Sequence, residues 1–216
     1  MSASADRAGP ASCCGAGPEA GGRNPIEIDP GAWTPPFDWT RLFGTPGPVE
    51  LEIGCGKGMF LKEAARAHPE IRYLGVERAG KFYRTAVCRL SRAGITSVRL
   101  MRADGLDVLA RWIPPGSLET VHIYFPDPWP KKRHRKRRIF RPDLLELTSR
   151  ALVPHGELRV ATDDAAYACD IRALIAGDPR FRELPWPAEA ADRHPTNYAL
   201  KWTRAGRSLW WARYRT

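Results

Sequence analysis

From Val49 onward, short apolar runs alternate with longer stretches of helical period, and this alternation most narrows the folds open to the chain. Strands are predicted at 49–54, 71–77, 97–104, 118–125 and 156–163, and helices at 59–68, 81–94, 141–152 and 164–177. Pro69 stops the first helix, Gly94 ends the second and Pro142 sits in the first turn of the third. Segments 181–184 and 208–215 are predicted as a final antiparallel pair. Strand, helix, strand in succession requires right-handed crossovers, which gives an α/β sheet of mostly parallel strands with helices on both faces. Such sheets place their functional loops at the carboxyl ends of the strands.

The 216 residues suffice for one domain with a sizeable core. Ala, Gly, Ser and Pro dominate the first 25 residues, so residues 1–32 are predicted to be a disordered tail and 33–216 a single domain. The tail lacks the apolar stretch of a signal peptide. A net charge of +10 and a pI near 9.7 favour an anionic partner, nucleic acid first and an acidic membrane surface second. No apolar run is long enough to span a bilayer, so no membrane partner is expected. The five cysteines are odd in number and form no CxxC, and the five histidines are scattered. These patterns predict neither a disulfide framework nor a metal site, and fit a reducing, cytoplasmic setting. Monomer and homodimer both stay open.

The first loop to carry chemistry is "ELEIGCGKG", in which Gly54, Gly56 and Gly58 follow a strand and lead into a helix. Glycines there permit positive φ and close approach of a ligand. Alone they also suit an ordinary tight turn. Three acids strengthen the binding reading: Glu52 before the glycines, Glu77 ending the second strand and Asp104 ending the third. Glu77 stands about 20 residues beyond the glycines, where dinucleotide folds place a ribose-binding acid. All three are predicted to face one crevice. The spacing is GxGxG, with Met59 where a nicotinamide fold has its last glycine. Glu52 would repel a pyrophosphate but attract the amino group or sulfonium of S-adenosylmethionine, which is the expected cofactor.

The stretch "IYFPDPWPKKRHRKRR" follows the fourth strand and overhangs the same crevice. Prolines on both sides of Asp127 limit the loop's freedom. Phe125 and Trp129 offer faces on which a base could stack. Seven basic side chains follow between Lys131 and Arg138. Taken singly, Asp127 could cap a turn and the cations could merely be solvated. Acid, aromatics and cations in one loop at the mouth of a cofactor site point instead to methyl transfer onto nucleic acid.

In the order "LEIGCGKG", "GVE", "RADG", "FPDPWPKKRHRKRRI", "ATD", "HPTNY", the chain from about Val49 to its end resembles the bacterial tRNA (guanine-N7-)-methyltransferases. The resemblance implies a class I methyltransferase fold: a Rossmann-like sheet of seven strands, mostly parallel, with an antiparallel C-terminal strand. It implies methyl transfer from S-adenosylmethionine to N7 of a guanine in the tRNA variable loop. By position it implies cofactor contacts at Glu52, Glu77, Asp104 and Asp127, beside Gly54 and Gly56 of the glycine loop. Asp127 is also the implied catalytic residue. Lys131, Asp163 and Thr196 are the implied tRNA contacts, and Arg135 joins them as a phosphate contact from the basic run. The family's Thr-Lys-Phe-Glu is here Thr196-Asn197-Tyr198-Ala199, so Lys201 is a candidate substitute for the missing lysine. Action on another nucleic acid, and RNA binding without catalysis, are the competing readings.

Overall fold

The computed structural model describes residues 24–186, 196–206 and 208–216. Tail residues 1–23, and His194 and Pro195 of the C-terminal motif, lie outside the described residues. One sheet organises the chain: β1 Glu27–Ile28, β2 Val49–Ile53, β3 Arg72–Val76, β4 Val98–Met101, β5 Leu118–Tyr124, β6 Leu152–Thr162, β7 Arg182–Leu184 and β8 Trp210–Arg215. Their order is β1-β4-β3-β2-β5-β6-β8-β7. Strand β8 is antiparallel to both its neighbours, so it alone runs against the other seven.

The sheet has eight strands where seven were expected. The additional strand, β1, lies in the segment predicted as tail. Glu27 and Ile28 pair in parallel with Leu100 and Met101, while Ile26 and Ile28 are buried. Residues 26–28, within the segment predicted as tail, are therefore packed on the sheet. A two-residue strand is too short to show a period-2 pattern, which is why the sequence hid it.

The helices are α1 Trp39–Phe43, α2 Met59–Ala67, α3 Gly80–Arg92, α4 Gly105–Asp107, α5 Pro142–Ala151, α6 Ala165–Ala176 and α7 Asn197–Arg204. A π-helical turn, Val108–Trp112, continues α4. Among the described residues no helix is long and apolar enough to cross a membrane, and no cluster of three His, Cys, Asp or Glu is placed to hold a metal ion.

Alternation along the strands divides the core between the two faces. Val49, Leu51 and Ile53 of β2 join Val121, Ile123, Leu158 and Val160 on one face, against Leu144 and Leu145 of α5 and Ile171 of α6. On the other face Tyr73, Val98 and Leu100 meet Phe60 and Leu61 of α2 and Tyr83 and Leu90 of α3. Gly75 lets α2 come close. A methyl group on it would collide with Leu61, and with Leu100 Cδ2 at 2.6 Å. Gly75→Ala should therefore lower the unfolding free energy by about 1–3 kcal/mol, the usual cost of overpacking. Urea denaturation of the two proteins reads this directly, and equal midpoints would show that α2 does not need the gap.

Candidate active site

Strand β2 delivers the chain into Gly54, Gly56 and Gly58, with φ of 77°, 55° and 67°, a region that side chains disfavour. The turn is tied to the end of β3. The N–H groups of Gly54 and Cys55 donate to the Val76 carbonyl at 2.8 and 3.1 Å. Gly56 N–H donates to Glu77 Oε2 at 2.9 Å, and Ala79 N–H to Glu77 Oε1 at 2.7 Å. Three successive loop amides are thus committed within the protein. A pyrophosphate would meet no nest of available N–H groups here, and would meet carboxylates instead.

Two joined compartments open at this edge of the sheet. The larger, of about 670 Å³, is lined by Gly54, Gly56, Glu77, Asp104 and Asp127, with Phe82 and Arg138 among its walls. The smaller, of about 360 Å³, shares Gly54, Gly56, Phe82 and Tyr124 and adds Glu52, Thr196 and Lys201. The expected single crevice for three acids is thereby corrected. Glu52 lies within β2, opposite Gly75 and His122, so its side chain falls on the α2 and α3 face rather than into the larger cleft. Lys131, Arg135 and Asp163 line neither compartment. Asp163 is half-buried just beyond β6, and the two cations are exposed.

Glu52 is the most perturbed acid of the site. It is 4% exposed and its Oε2 has no hydrogen-bond partner among the described residues. Burial, with the nearby Glu77 carboxylate adding to it, pushes its pKa up to about 8. The same burial, with both acids close by, raises the Cys55 thiol. A buried carboxyl without a counter-ion holds its proton, and a cation delivered beside it would take the proton's place. A cationic adenosine cofactor fits this donor set: an orphaned acid oxygen in the recess, and Glu77 and Asp104 in the cleft. Asp104 is otherwise engaged only lightly, accepting from Leu106 N–H at 3.0 Å and lying 3.7 Å from Arg78.

Asp127 projects from the loop after β5 into the larger cleft. It is exposed, and no described residue donates a hydrogen bond to it, so the turn-capping alternative is not what the loop adopts. Phe125 and Trp129 flank it at φ of 52° and 40°, in the left-handed region that costs a bulky residue about 1–3 kcal/mol. Arg138 compensates. Its side chain, 9% exposed, donates from Nε to the Pro128 carbonyl and from Nη1 to Asp170 Oδ2, both at 2.7 Å. Its guanidinium also lies 4.4 Å from the centre of the Tyr167 ring. The last cation of the run is therefore a bolt on the loop. Arg137 stacks 4.9 Å over Trp129, which turns one face of that ring away from any base.

Sequence reasoning missed further residues here. His122 is buried and hydrogen-bonded through Nε2 to Glu50 and through Nδ1 to the Tyr124 hydroxyl, each at 2.8 Å. Burial holds the imidazole below its usual pKa, so the neutral ring donates to Glu50 and accepts from Tyr124. This fixes the Tyr124 ring between the two compartments. The period-2 pattern of "LETVHIYF" already puts His122 and Tyr124 on one face, and was the available signal. Thr196, implied by the resemblance to be a tRNA contact, has a local role as well: its Oγ1 accepts from Ala199 N–H at 2.8 Å and so caps α7. Threonine is a favoured N-cap, and "NYALKW" after it has helical spacing.

The pKa of Glu52 makes stability depend on pH. The folded state holds this proton up to about 8, against an ordinary value of 4.5. Its stabilisation is complete below the lower value and is lost as pH rises towards the upper. Glu52→Gln keeps the shape without the ionisation. The melting temperature of that variant should exceed the wild type's by a gap that widens from pH 5 to pH 8, and a gap constant over this range would mean that Glu52 ionises normally.

The family model described as "Putative methyltransferase" matches residues 46–212. A tRNA (guanine-N(7)-)-methyltransferase of Mycobacterium avium (strain 104) is 41% identical over 185 residues, which cover 84% of this chain and 71% of the relative. One from Geobacter metallireducens is 33% identical over 196 residues, covering 89% and 93%. Among solved structures, the 16S rRNA methyltransferase KamB superposes with a TM-score of 0.59 at 14% identity, covering 82% of this chain and 91% of that one. That likeness speaks for the fold alone. Matched along most of its length by sequence, and carrying the acid-lined cleft and the Asp127 loop, the chain belongs to the tRNA (guanine-N7-)-methyltransferase family, whose cofactor is S-adenosylmethionine.

Proposed function

We propose that this protein methylates N7 of a guanine in the variable loop of tRNA. The observation that carries the reading is the Asp127 loop: an exposed acid, braced by Arg138, at the mouth of an acid-lined cleft, followed by six exposed cations. Guanine N7 has a free lone pair and no proton to lose, so no general base is needed. S-adenosylmethionine supplies an electrophilic methyl group with its leaving group attached. What falls to the protein is alignment, which can supply about 7–11 kcal/mol of such a barrier.

Each residue then has a role. Glu77, held by two backbone amides, accepts from ribose hydroxyls, and Asp104 lies on the adenine side of the same cleft. Glu52 takes the cofactor's ammonium group. Asp127 faces the guanine, which becomes cationic as it is methylated, and stabilises that charge. Lys131 and Arg135 meet tRNA phosphates outside the cleft, where they fix the approach of the RNA without reading its sequence. Asp163, just beyond β6, is a further contact with the tRNA. Thr196 contributes through its cap, which places α7. The setting that suits such a substrate is the cytoplasm.

Incubation with unmodified tRNA and labelled cofactor, followed by nucleoside analysis, should yield 7-methylguanosine; label in another nucleoside, or only in rRNA or DNA, would overturn the reading. Asp127→Ala should lower kcat by roughly 100-fold or more, the scale of a lost transition-state electrostatic contact, while tRNA still binds. Single-turnover rates near wild type would make Asp127 a bystander. The basic run should separate into two classes. Joint replacement of Arg135, Lys136 and Arg137 by Ala should flatten the slope of log K against log salt by roughly 0.7–0.9 per lost contact. Arg138→Gln should leave the slope unchanged and lower kcat by loosening the loop. A flatter slope for Arg138→Gln would place its guanidinium on the RNA.

A further inference from the structure

The smaller recess has a composition that the assigned contacts do not exhaust. At its base lies Glu52, 4% exposed, with an orphaned Oε2. Phe60 and Tyr124 give it apolar walls, and Lys201 lines it from α7, the helix that Thr196 caps. The recess joins the larger cleft through Gly54, Gly56, Phe82 and Tyr124. A small ligand head passing between the glycines from the cleft would therefore meet a carboxylate at the base and an ammonium group on the wall.

Charge requires that second group. An ammonium ion brought to Glu52 relieves a buried acid. In the amino-acid head of the cofactor, however, that ammonium shares one carbon atom with a carboxylate. Binding the ammonium brings a third carboxylate into a region that already holds Glu52 and Glu77, and like charges in a poorly solvated space repel strongly. A cation in the same recess is needed to offset it. Among the described residues two line the recess, Lys57 before α2 and Lys201 on α7. Lys57 belongs to the tight glycine turn, next to Gly58 with its positive φ, and its carbonyl accepts from Arg89 Nη1 at 2.9 Å, so its backbone is tied to α3. Lys201 is carried by α7 rather than by the glycine turn, on a helix that follows directly from Thr196, another residue lining the recess.

We propose that the recess binds the zwitterionic amino-acid head of S-adenosylmethionine, with Lys201 pairing with its α-carboxylate. Lys201 is then a cofactor-reading residue rather than the tRNA contact expected from its place in the C-terminal motif. The C-terminal helix α7 then contributes to the cofactor site, and the protein selects a cofactor that carries both charges of an amino acid. This inference rests on the cofactor reading of the cleft given above.

Calorimetric binding of two probes separates the possibilities: S-adenosylmethionine, and its decarboxylated form, which keeps the ammonium and sulfonium but lacks the carboxylate. Lys201→Ala should weaken the first about 10-fold or more, as expected for a charged hydrogen bond, and the second less than about 2-fold. Glu52→Gln should weaken both probes alike, because both keep the ammonium. Equal losses for both probes in Lys201→Ala, or no loss for either, would overturn the proposal. So would a carboxylate-dependent loss in Lys57→Ala with none in Lys201→Ala. Failure of the wild-type protein to bind S-adenosylmethionine would instead overturn the cofactor reading beneath it. Lys201 is exposed, so its replacement should not disturb folding, and circular dichroism of the variant checks this.

Discussion

The Val76 carbonyl, at the end of β3, holds the site together. It accepts from both Gly54 and Cys55, and the next residue, Glu77, accepts from Gly56. The glycine loop is thus fastened to the neighbouring strand rather than left as an open nest of N–H groups. Two consequences follow from this fastening. The loop offers no anion cradle, which turns the site away from pyrophosphate and towards a cationic cofactor. It also forms the saddle between the two compartments, because Gly54 and Gly56 line both of them.

On the other side of the cleft the chain solves a different problem. A loop that carries an exposed acid between two residues of positive φ would not hold one shape unaided. Arg138 holds it by a carbonyl of the loop, a carboxylate of α6 and the ring of Tyr167. The arrangement divides a run of like charges by burial. One guanidinium is spent on the architecture of the loop, and the six exposed cations before it are left to the solvent side, where an RNA backbone can reach them. The catalytic loop and the phosphate-binding ribbon are therefore adjacent in sequence but anchored independently. Tyr124, held from behind by His122 and Glu50, gives the floor between the compartments a comparable rigidity.

The sequence by itself determined the layout. Apolar period and the placing of Pro and Gly gave β2 to β5 and helices α2, α3, α5 and α6 close to where they lie, since long periodic segments leave few alternatives. The order of the motifs and the character of the Asp127 loop pointed to the family. Only the tertiary structure decided the rest. Strand β1 is two residues long and exists because Ile26 and Ile28 are buried against β4, a contact between segments far apart in the chain. Glu52 falls in the recess rather than in the larger cleft because a side chain within a strand must take one face of the sheet, whereas a residue in the loop beyond can turn into the cleft. Arg138 reads in the sequence like the cations before it, and its partners on α6 and in the loop appear only when the chain is folded. Local pattern fixes what each segment becomes, but which charge is buried, and against what, depends on contacts that no segment contains.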